Sequence, residues 1–417
     1  MKRLVLAILV VLSLAVAANA QTYRGAINGT VTDPSGAMVP NATVKATEKA
    51  TRIDHSTVTT SDGLFAFQDL PVGTYRVIVT ASGFAALTVD NIQVAQGVIY
   101  TLPVKLSLAQ GATTQVEVSA AALTLDTTTE TQTTLVSGDD LQSLPQNGRD
   151  FSQMIALVPG FGGYAAGGTG SGGGGINGTR WDQVNWQMDG VDNNDLWWNI
   201  PSVNQGGVSG IAGIILPTDA IDQFSVQTQA SPESGRNPGG TVDLALKSGG
   251  NDFHGTVYDY HRNEAFAAKS PFVPAKKQNR NYNYGSSLGG PILKDRLFFF
   301  TNFEKQRFSI GLPGEGTEPS TAYQTLALQL MNSYGVSQSS ISQKLLANLW
   351  PSSILSGPAQ PNNYTSNIPE FGFSYNGLAK FDFKINDKNN LSFHWFIGTG
   401  NQVAPPGGTV LALASSQ

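Results

Sequence analysis

Hydrophobic and polar positions along this chain alternate with a period of two over most of its length. Between residues 379 and 398, Ala379, Phe381, Phe383 and Ile385 alternate with Lys380, Asp382 and Lys384. After Asn386-Asp-Lys-Asn-Asn390 the pattern restarts, with Leu391, Phe393, Trp395 and Ile397 set against Ser392, His394, Phe396 and Gly398. Strand side chains point to opposite faces in turn, so each segment has one aromatic, apolar face and one mostly polar face. The apolar face must pack either on a protein core or on lipid.

The N-terminal part alternates too, but in shorter runs with turn residues between them. Asp33-Pro34-Ser35-Gly36, Asp62-Gly63 and Pro71-Val72-Gly73 punctuate residues 22–108. Tyr75, Val77 and Val79 fall on one face of a strand and Arg76, Ile78 and Thr80 on the other. Short strands at this spacing predict a small antiparallel sandwich. The Gly-x-Val-x-Asp-x-x-Gly opening, the "SDGLFAFQDLPVGTYRVIV" centre and Gly83-Phe84 resemble the carboxypeptidase regulatory-like domain. That resemblance implies a transthyretin-like sandwich.

Residues 109–135 are Thr-rich and poor in aromatics, as expected of a linker. Within it, Gln115, Val116, Glu117, Val118 and Ser119 form a short β-prone segment of the kind that adds to another protein's sheet edge. In residues 136–250, Phe151, Ile155 and Val158 recur at helical spacing and predict an amphipathic helix. The glycine run before Ile176 lacks the pattern of a phosphate loop, and "DGVDNND" lacks the twelfth-position Glu of a calcium loop. They read as a flexible loop and a polar turn.

Three blocks in that region carry a second resemblance: "LPQNGRDFSQMIALVPG", "INGTRWDQVNWQMDGVDNND" and "PTDAIDQFSVQTQASPESGRNPGGTVDLALKSGGNDFHG". Their content and order are similar to the plug domain of TonB-dependent outer-membrane receptors, and most of all to the Oar-like group with a regulatory-like sandwich in front. The resemblance implies an α/β plug inside a barrel and energised uptake driven by TonB, with a TonB box at Gln115–Ser119. Arg149, Arg180 and Asp189 are the expected plug-anchoring residues. The two arginines are expected to pair with inward barrel carboxylates such as Glu304 or Asp382, because unpaired charge in a crowded interior is costly.

After Asn251, five segments of about ten residues carry an aromatic face and a more polar one, the pattern of transmembrane barrel strands. Thr256, Tyr258 and Tyr260 share a face. So do Tyr282, Tyr284 and Leu288, and so do Leu297, Phe299, Thr301 and Phe303. If the first strand runs outward, both tight connections, at Leu293-Lys294-Asp295 and Asn386–Asn390, fall on the periplasmic side. Both long ones, about 263–279 and 309–371, fall outside. Barrels have that asymmetry, and a soluble sandwich gives no reason for it. Phe299, Phe303, Phe381, Phe383, Phe393 and Trp395 are therefore expected to face lipid. Leu326 and Leu330, then Ile341, Leu345 and Leu349, predict two short helices in the outer segment.

Composition narrows the reading. Charged residues make up 13% of the 417, the net charge is −5 and there is no Cys. No basic patch suggests nucleic acid, and thiolate-zinc, disulfide and Cys-nucleophile chemistry are excluded. Lys2-Arg3, an apolar run from Leu4 to Val16 and Ala18-Asn19-Ala20 form a signal peptide with cleavage expected after Ala20. With no other segment apolar enough for a membrane helix, a membrane-embedded mature chain must be a β-barrel.

The expected organisation is mainly β. A signal peptide (1–20) precedes a sandwich (22–108), a linker with the box (109–135) and a plug (136–250). The first five or so strands of an incomplete outer-membrane barrel follow (251–417). A plugged receptor barrel has about 22 strands, so the chain is expected to be a fragment or truncated product, prone to aggregate in water. The expected partners are TonB, outer-membrane lipid and an extracellular ligand, carbohydrate or peptide; no cofactor, metal or catalytic residue is expected.

Two rivals remain. One is a secreted or surface carbohydrate-binding sandwich protein. The other is a zinc carboxypeptidase built on His261, Glu264 and His394, disfavoured because positions i and i+3 of a strand face opposite ways.

Overall fold

The computed structural model describes residues 25–109, 116–119, 132–144, 149–162, 174–196, 199, 201, 215–229, 237–269, 276–311, 314–317, 319–349, 358–359, 364–366, 369–386 and 389–403. The signal segment, Gln115 and residues 163–173 of the glycine-rich stretch lie outside them. Two compact units divide the chain. One takes in 1–256, 286–303 and 376–398, and the other 257–285, 304–375 and 399–417.

The sandwich has seven strands from the region expected to form it: β1 (Gly25–Thr32), β2 (Thr43–Glu48), β3 (Asp54–Val58), β4 (Leu64–Leu70), β5 (Gly73–Thr80), β6 (Leu87–Val94) and β7 (Ile99–Lys105). An eighth, β8 (Val116–Ser119), comes from the linker. One sheet has the order β4-β1-β7, the other β3-β2-β5-β6-β8. Tyr75, Val77 and Val79 are fully buried, as their alternation required, and they pack with Ile27, Val31, Phe65, Leu70 and Ile92. The Tyr75 hydroxyl donates to the Pro71 carbonyl at 3.0 Å, so the largest core residue leaves its polar atom satisfied. At Gly29 an added Cβ would lie 2.2 Å from the Leu102 carbonyl and 2.4 Å from the Phe65 ring, so only glycine fits between these two neighbouring strands. The turns stand where Gly and Asp predicted them: Asp33 Oδ1 accepts from the Ser35 and Ala37 amides, and Gly63 has φ +67°.

The region expected to form the plug, called the plug region below, contains β9 (Thr133–Ser137), α1 (Gly138–Ser143), β10 (Phe161–Gly162), β11 (Gly175–Ile176), β12 (Asn185–Met188), β13 (Val191–Asp192), β14 (Ile221–Gln227) and β15 (Thr241–Leu246). Its main sheet has the order β13-β12-β15-β14-β9. β12 runs parallel to β15, and β14 is antiparallel to β15 and β9. The sheet thus begins at Thr133. Ser137 caps α1, its hydroxyl accepting from the Asp140 amide. The segment expected to be an amphipathic α-helix is a 3-10 helix, Phe151–Leu157, capped by Asp150. Phe151 and Ile155 are buried as their spacing required, with Phe151 edge-on to Trp186.

The C-terminal part forms β16 (His254–Arg262), β17 (Asn279–Leu293), β18 (Leu297–Ile310), β19 (Gly314–Gly316), α2 (Thr321–Ser333), α3 (Ser340–Leu349), β20 (Tyr364–Ser366), β21 (Glu370–Asn386) and β22 (Asn389–Val403). The five long strands form one sheet in the order β16-β17-β18-β21-β22, open at both edges among the described residues. The two tight connections and the two long ones fall as the sequence required, and α2 and α3 occupy the longer of the long ones.

In four of these strands the faces follow the sequence reading. Phe298, Phe300, Asn302 and Glu304 are buried, whereas Phe303 is exposed. Phe299 and Phe383 are half-buried, and Phe381, Phe393 and Trp395 are exposed. The first strand corrects it. The Thr256 hydroxyl lies 2.8 Å from that of buried Ser287, and His261 stacks on Tyr282 of the outer face. Side chains meeting across adjacent strands share a face. Tyr258 and Tyr260 therefore lie on the inner face with Thr256, and the outward residues are Val257, Asp259 and His261. Aromatic content misled here because the Phe253 ring, just before the strand, supplies the outer aromatic beside Phe299 at 6.4 Å.

Candidate functional site: the junction of plug and barrel wall

The junction is organised by a two-residue turn. Asp189 and Gly190 join β12 to β13 with φ of +47° and +76°. Both central residues of a type I′ hairpin turn need positive φ, which Asp-Gly tolerates. The polar turn read from "DGVDNND" is this hairpin, and Asn194 stitches it by accepting the Trp186 amide at 2.9 Å.

The strained position aims the Asp189 side chain away from its own hairpin. Its amide donates to the Leu244 carbonyl at 2.7 Å, and its Oδ1 accepts from the Leu246 amide at 3.0 Å. Its Oδ2 lies 2.9 Å from Lys380 Nζ on β21 and 3.1 Å from His394 Nε2 on β22. Lys380 Nζ also donates to the Leu246 carbonyl at 3.1 Å. The Asp189 and Lys380 side chains are 2% and 5% exposed, so this pair is cut off from water. Burial pushes the Asp189 carboxyl up, but Lys380 and His394 outweigh it and hold the group below the usual carboxylate range. At nearby Asp243, burial together with the Asp189 charge pushes the carboxyl up to about 8.

A second contact is neutral: the Ile215 amide donates to Asn376 Oδ1 on β21 at 2.8 Å. Apolar packing completes the junction, since Phe300, Leu378 and Phe396 of the strands join the core built on Phe151, Trp186, Phe224 and Leu244. At the turn end of the sheet, Asn251 binds Asp295 and also the Ala50 and Thr51 carbonyls of the sandwich.

Of the anchoring residues expected from the sequence, Asp189 sits at the centre of the junction. The two arginines do not make the expected pairs. Arg149 binds Thr218 and Asp219, the latter at 2.5 Å, inside the plug region. Arg180 pairs with neighbouring Asp182 at 3.3 Å with its side chain 73% exposed. Glu304 accepts from Asn283 at 3.0 Å, and Asp382 accepts from Ser392 at 2.7 Å, both within the strands. The reason is local supply: each arginine has a carboxylate on its own fold closer than any on the wall. The ion pair across the junction has the opposite polarity, acid on the plug and base on the wall.

The sequence reading missed Lys380 and His394 as that base pair. Lys380 lies on the inner face of a strand by its alternation, where a cation needs a counter-charge, and that signal pointed to a buried plug acid. The zinc-site residues are scattered: His394 is bound to Asp189, His261 is stacked on Tyr282, and Glu264 is held by Arg280 at 2.9 Å. Among the described residues no group of three His, Asp or Glu is placed to hold a metal ion. Of the box residues, Val116–Ser119 form β8, paired in parallel with β6.

Two parts of the chain match known domain families. Residues 26–107 match the carboxypeptidase regulatory-like domain and residues 245–417 an outer membrane beta barrel domain. The TonB-dependent transporter Oar of Myxococcus xanthus is 25% identical over 295 residues, covering 66% of this chain and 26% of the transporter. This chain thus spans about a quarter of that relative's length. Among solved structures, the siderophore receptor PirA of Acinetobacter baumannii aligns with a TM-score of 0.40 and 17% identity over 66% of this chain and 32% of its own. The ferric enterobactin receptor PfeA of Pseudomonas aeruginosa aligns at 0.39 and 15% over 65% and 33%. These relatives are transporters and receptors rather than enzymes. The chain is thus similar to the TonB-dependent transporter Oar over 66% of its length, with a match to the regulatory-like domain in front of a match to an outer membrane beta barrel domain.

Proposed function

We propose that this chain is the sandwich, plug and first wall of a receptor that takes up an extracellular ligand with energy delivered by TonB. Residues 1–20 are removed after Ala20 on export. The sandwich (22–108) and the linker (109–135) then lie in the periplasm, the plug (136–250) closes the lumen, and strands from 251 onward form the wall. TonB pairs with Gln115–Ser119, pulls through the linker and displaces the plug; the ligand, a carbohydrate or peptide, enters from outside. The outer membrane has no nucleotide supply, so the energy must arrive mechanically through a partner.

The observation that carries this reading is the pair of unlike faces on one sheet. The inner face is covered by the plug and tied to it through Asp189, and the outer face presents Phe303, Phe381, Phe393 and Trp395 exposed among the described residues. The buried polar contacts that tie the plug to the strands can be exchanged for water when the plug is pulled, whereas the apolar contacts of Phe300, Leu378 and Phe396 add to the force that release requires.

The test is membrane fractionation of expressing cells, followed by binding of a purified periplasmic TonB fragment to the detergent-extracted chain. The reading expects recovery only with detergent, a mature N-terminus at Gln21 and saturable TonB binding. A chain that stays monodisperse in water, or that ignores TonB, contradicts it and favours the carbohydrate-binding alternative.

A further inference from the structure

β8 is the outermost strand of the larger sandwich sheet, and its pairing with β6 is in register over all four residues: Leu87 opposite Val116, Thr88 opposite Glu117, Val89 opposite Val118 and Asp90 opposite Ser119. The burial of β6 carries the imprint of that contact. Leu87, Thr88, Val89 and Asp90 are all buried, on both faces, whereas Asn91 and Gln93 beyond the end of β8 are exposed. The linker segment thus completes the sandwich edge.

The far side of β8 has no strand partner among the described residues. An edge strand offers a row of free amides and carbonyls to any incoming chain, and proteins usually guard such edges. The other three edges of the sandwich are guarded. β7 carries Pro103, which has no amide to donate, and β4 meets β1 through a register shift between Gly25 and Ile27. β3 is short and carries Asp54, paired with Lys45 at 2.8 Å. The sequence Val-Glu-Val-Ser of β8 has no proline, no lysine and no glycine.

We infer that the sandwich holds Val116–Ser119 as a ready-made edge strand and that TonB docks by adding its own strand to the free side, as the sixth strand of the sheet. This rests on the assignment of the box under Proposed function and gives the regulatory-like sandwich a role in it: a platform that fixes the box in extended form before the partner arrives. Pre-ordering the segment removes the entropy that a free linker would lose on pairing. Only four residues of parallel pairing hold β8 to β6, so a later pull on the docked partner peels the strand away before it unfolds the sandwich.

The chain has no Cys, which makes a cross-link clean. Thr88→Cys with Glu117→Cys places two thiols on directly opposed residues of neighbouring strands, a spacing a disulfide spans. The detergent-extracted chain is titrated with a periplasmic TonB fragment, oxidised and reduced. The inference expects the disulfide to form readily and the oxidised chain to bind within about threefold of the reduced one, or more tightly. Binding weakened about tenfold on oxidation, and restored by reductant, overturns it, since the box would then have to leave the sandwich to be captured. Failure of the cross-link to form overturns it as well. A separate chain with Glu117→Pro and Val118→Pro removes amides on both sides of the strand. If that chain binds TonB undiminished, the box assignment itself is wrong, a failure distinct from loss of the edge geometry.

Discussion

The sandwich and the barrel sheet are written in the same period of two, and they are built inside out with respect to each other. In the sandwich the buried positions include Tyr75, Val77 and Val79, with Arg76 exposed and Ile78 half-buried between them. In the barrel sheet the buried positions include Asn281, Asn283, Asn302, Glu304, Asn376 and Lys380, whereas the exposed ones include Phe303, Phe381, Phe393, Trp395 and Ile397. Alternation alone says that two faces differ. Which face is apolar is set by what lies against each: a protein core and water for the sandwich and, on the reading proposed above, hydrocarbon and the plug for the barrel sheet.

The largest way to break this comparison is to put one charge on the wrong side of the sandwich. Val77→Asp buries an unpaired carboxylate in an apolar core and should cost more than about 4 kcal/mol. Urea unfolding followed by sandwich-specific protection should show that region melting while the barrel strands are unaffected.

The second break is at the junction. Asp189→Asn leaves Lys380 as a buried cation without its counter-charge, at a cost of about 3–5 kcal/mol. Limited proteolysis of the plug region in detergent should become faster, and a second change, Lys380→Met, should restore much of the resistance. The pH dependence follows from the depressed Asp189 carboxyl. Its contribution is present above the unfolded pKa of an aspartate and is lost as pH falls through the lower folded value. Plug protection in the parent chain should therefore collapse in acid, and Asp189→Asn should remove that part of the acid transition.

Trp395→Arg sharpens the comparison from the lipid side. Near the bilayer midplane it should cost about 2–4 kcal/mol of folding in lipid vesicles. The same change in water should reduce aggregation, the opposite sign to Val77→Asp in the sandwich.

The smallest effect is expected at Asp243. Its carboxyl is raised to about 8 by burial and by Asp189, so the folded plug holds a proton that the unfolded chain releases. Plug stability should fall as pH rises from about 4 to about 8, and Asp243→Asn should flatten that slope. The gain near neutral pH should be on the order of 1 kcal/mol, since the amide still lies buried. A chemical-denaturation series across pH checks the sign.

Much of this architecture was legible in the chain because strands announce their faces. The turns at Asp33–Gly36, Asp62-Gly63 and Leu293–Asp295, the core face of Tyr75–Val79 and the wall faces of β18, β21 and β22 all follow from local pattern. Pairings between distant segments were not legible. Arg149 was expected to reach the wall and instead meets Asp219, seventy residues away, because nothing local records which acid the fold brings near. The Asp189–Lys380 pair spans still more chain and depends on a hairpin turn aimed at a strand almost two hundred residues later. The faces of β16 were misread for a related reason. An edge strand is exposed on both sides, so only its cross-strand contacts, Thr256 with Ser287 and His261 with Tyr282, reveal which side is in.

The central claim, that the aromatic face of the C-terminal strands touches hydrocarbon, is open to a direct measurement in the Cys-free chain. Spin labels placed singly by Leu391→Cys, Ser392→Cys and so on through Ile397→Cys, in vesicles, report collision with oxygen, which concentrates in lipid, and with a water-soluble nickel chelate. The account predicts oxygen access peaking at 391, 393, 395 and 397, alternating with protection at 392, 394 and 396 against the plug. Labels at 393 and 395 shielded from both quenchers, or open to the nickel chelate, would contradict it.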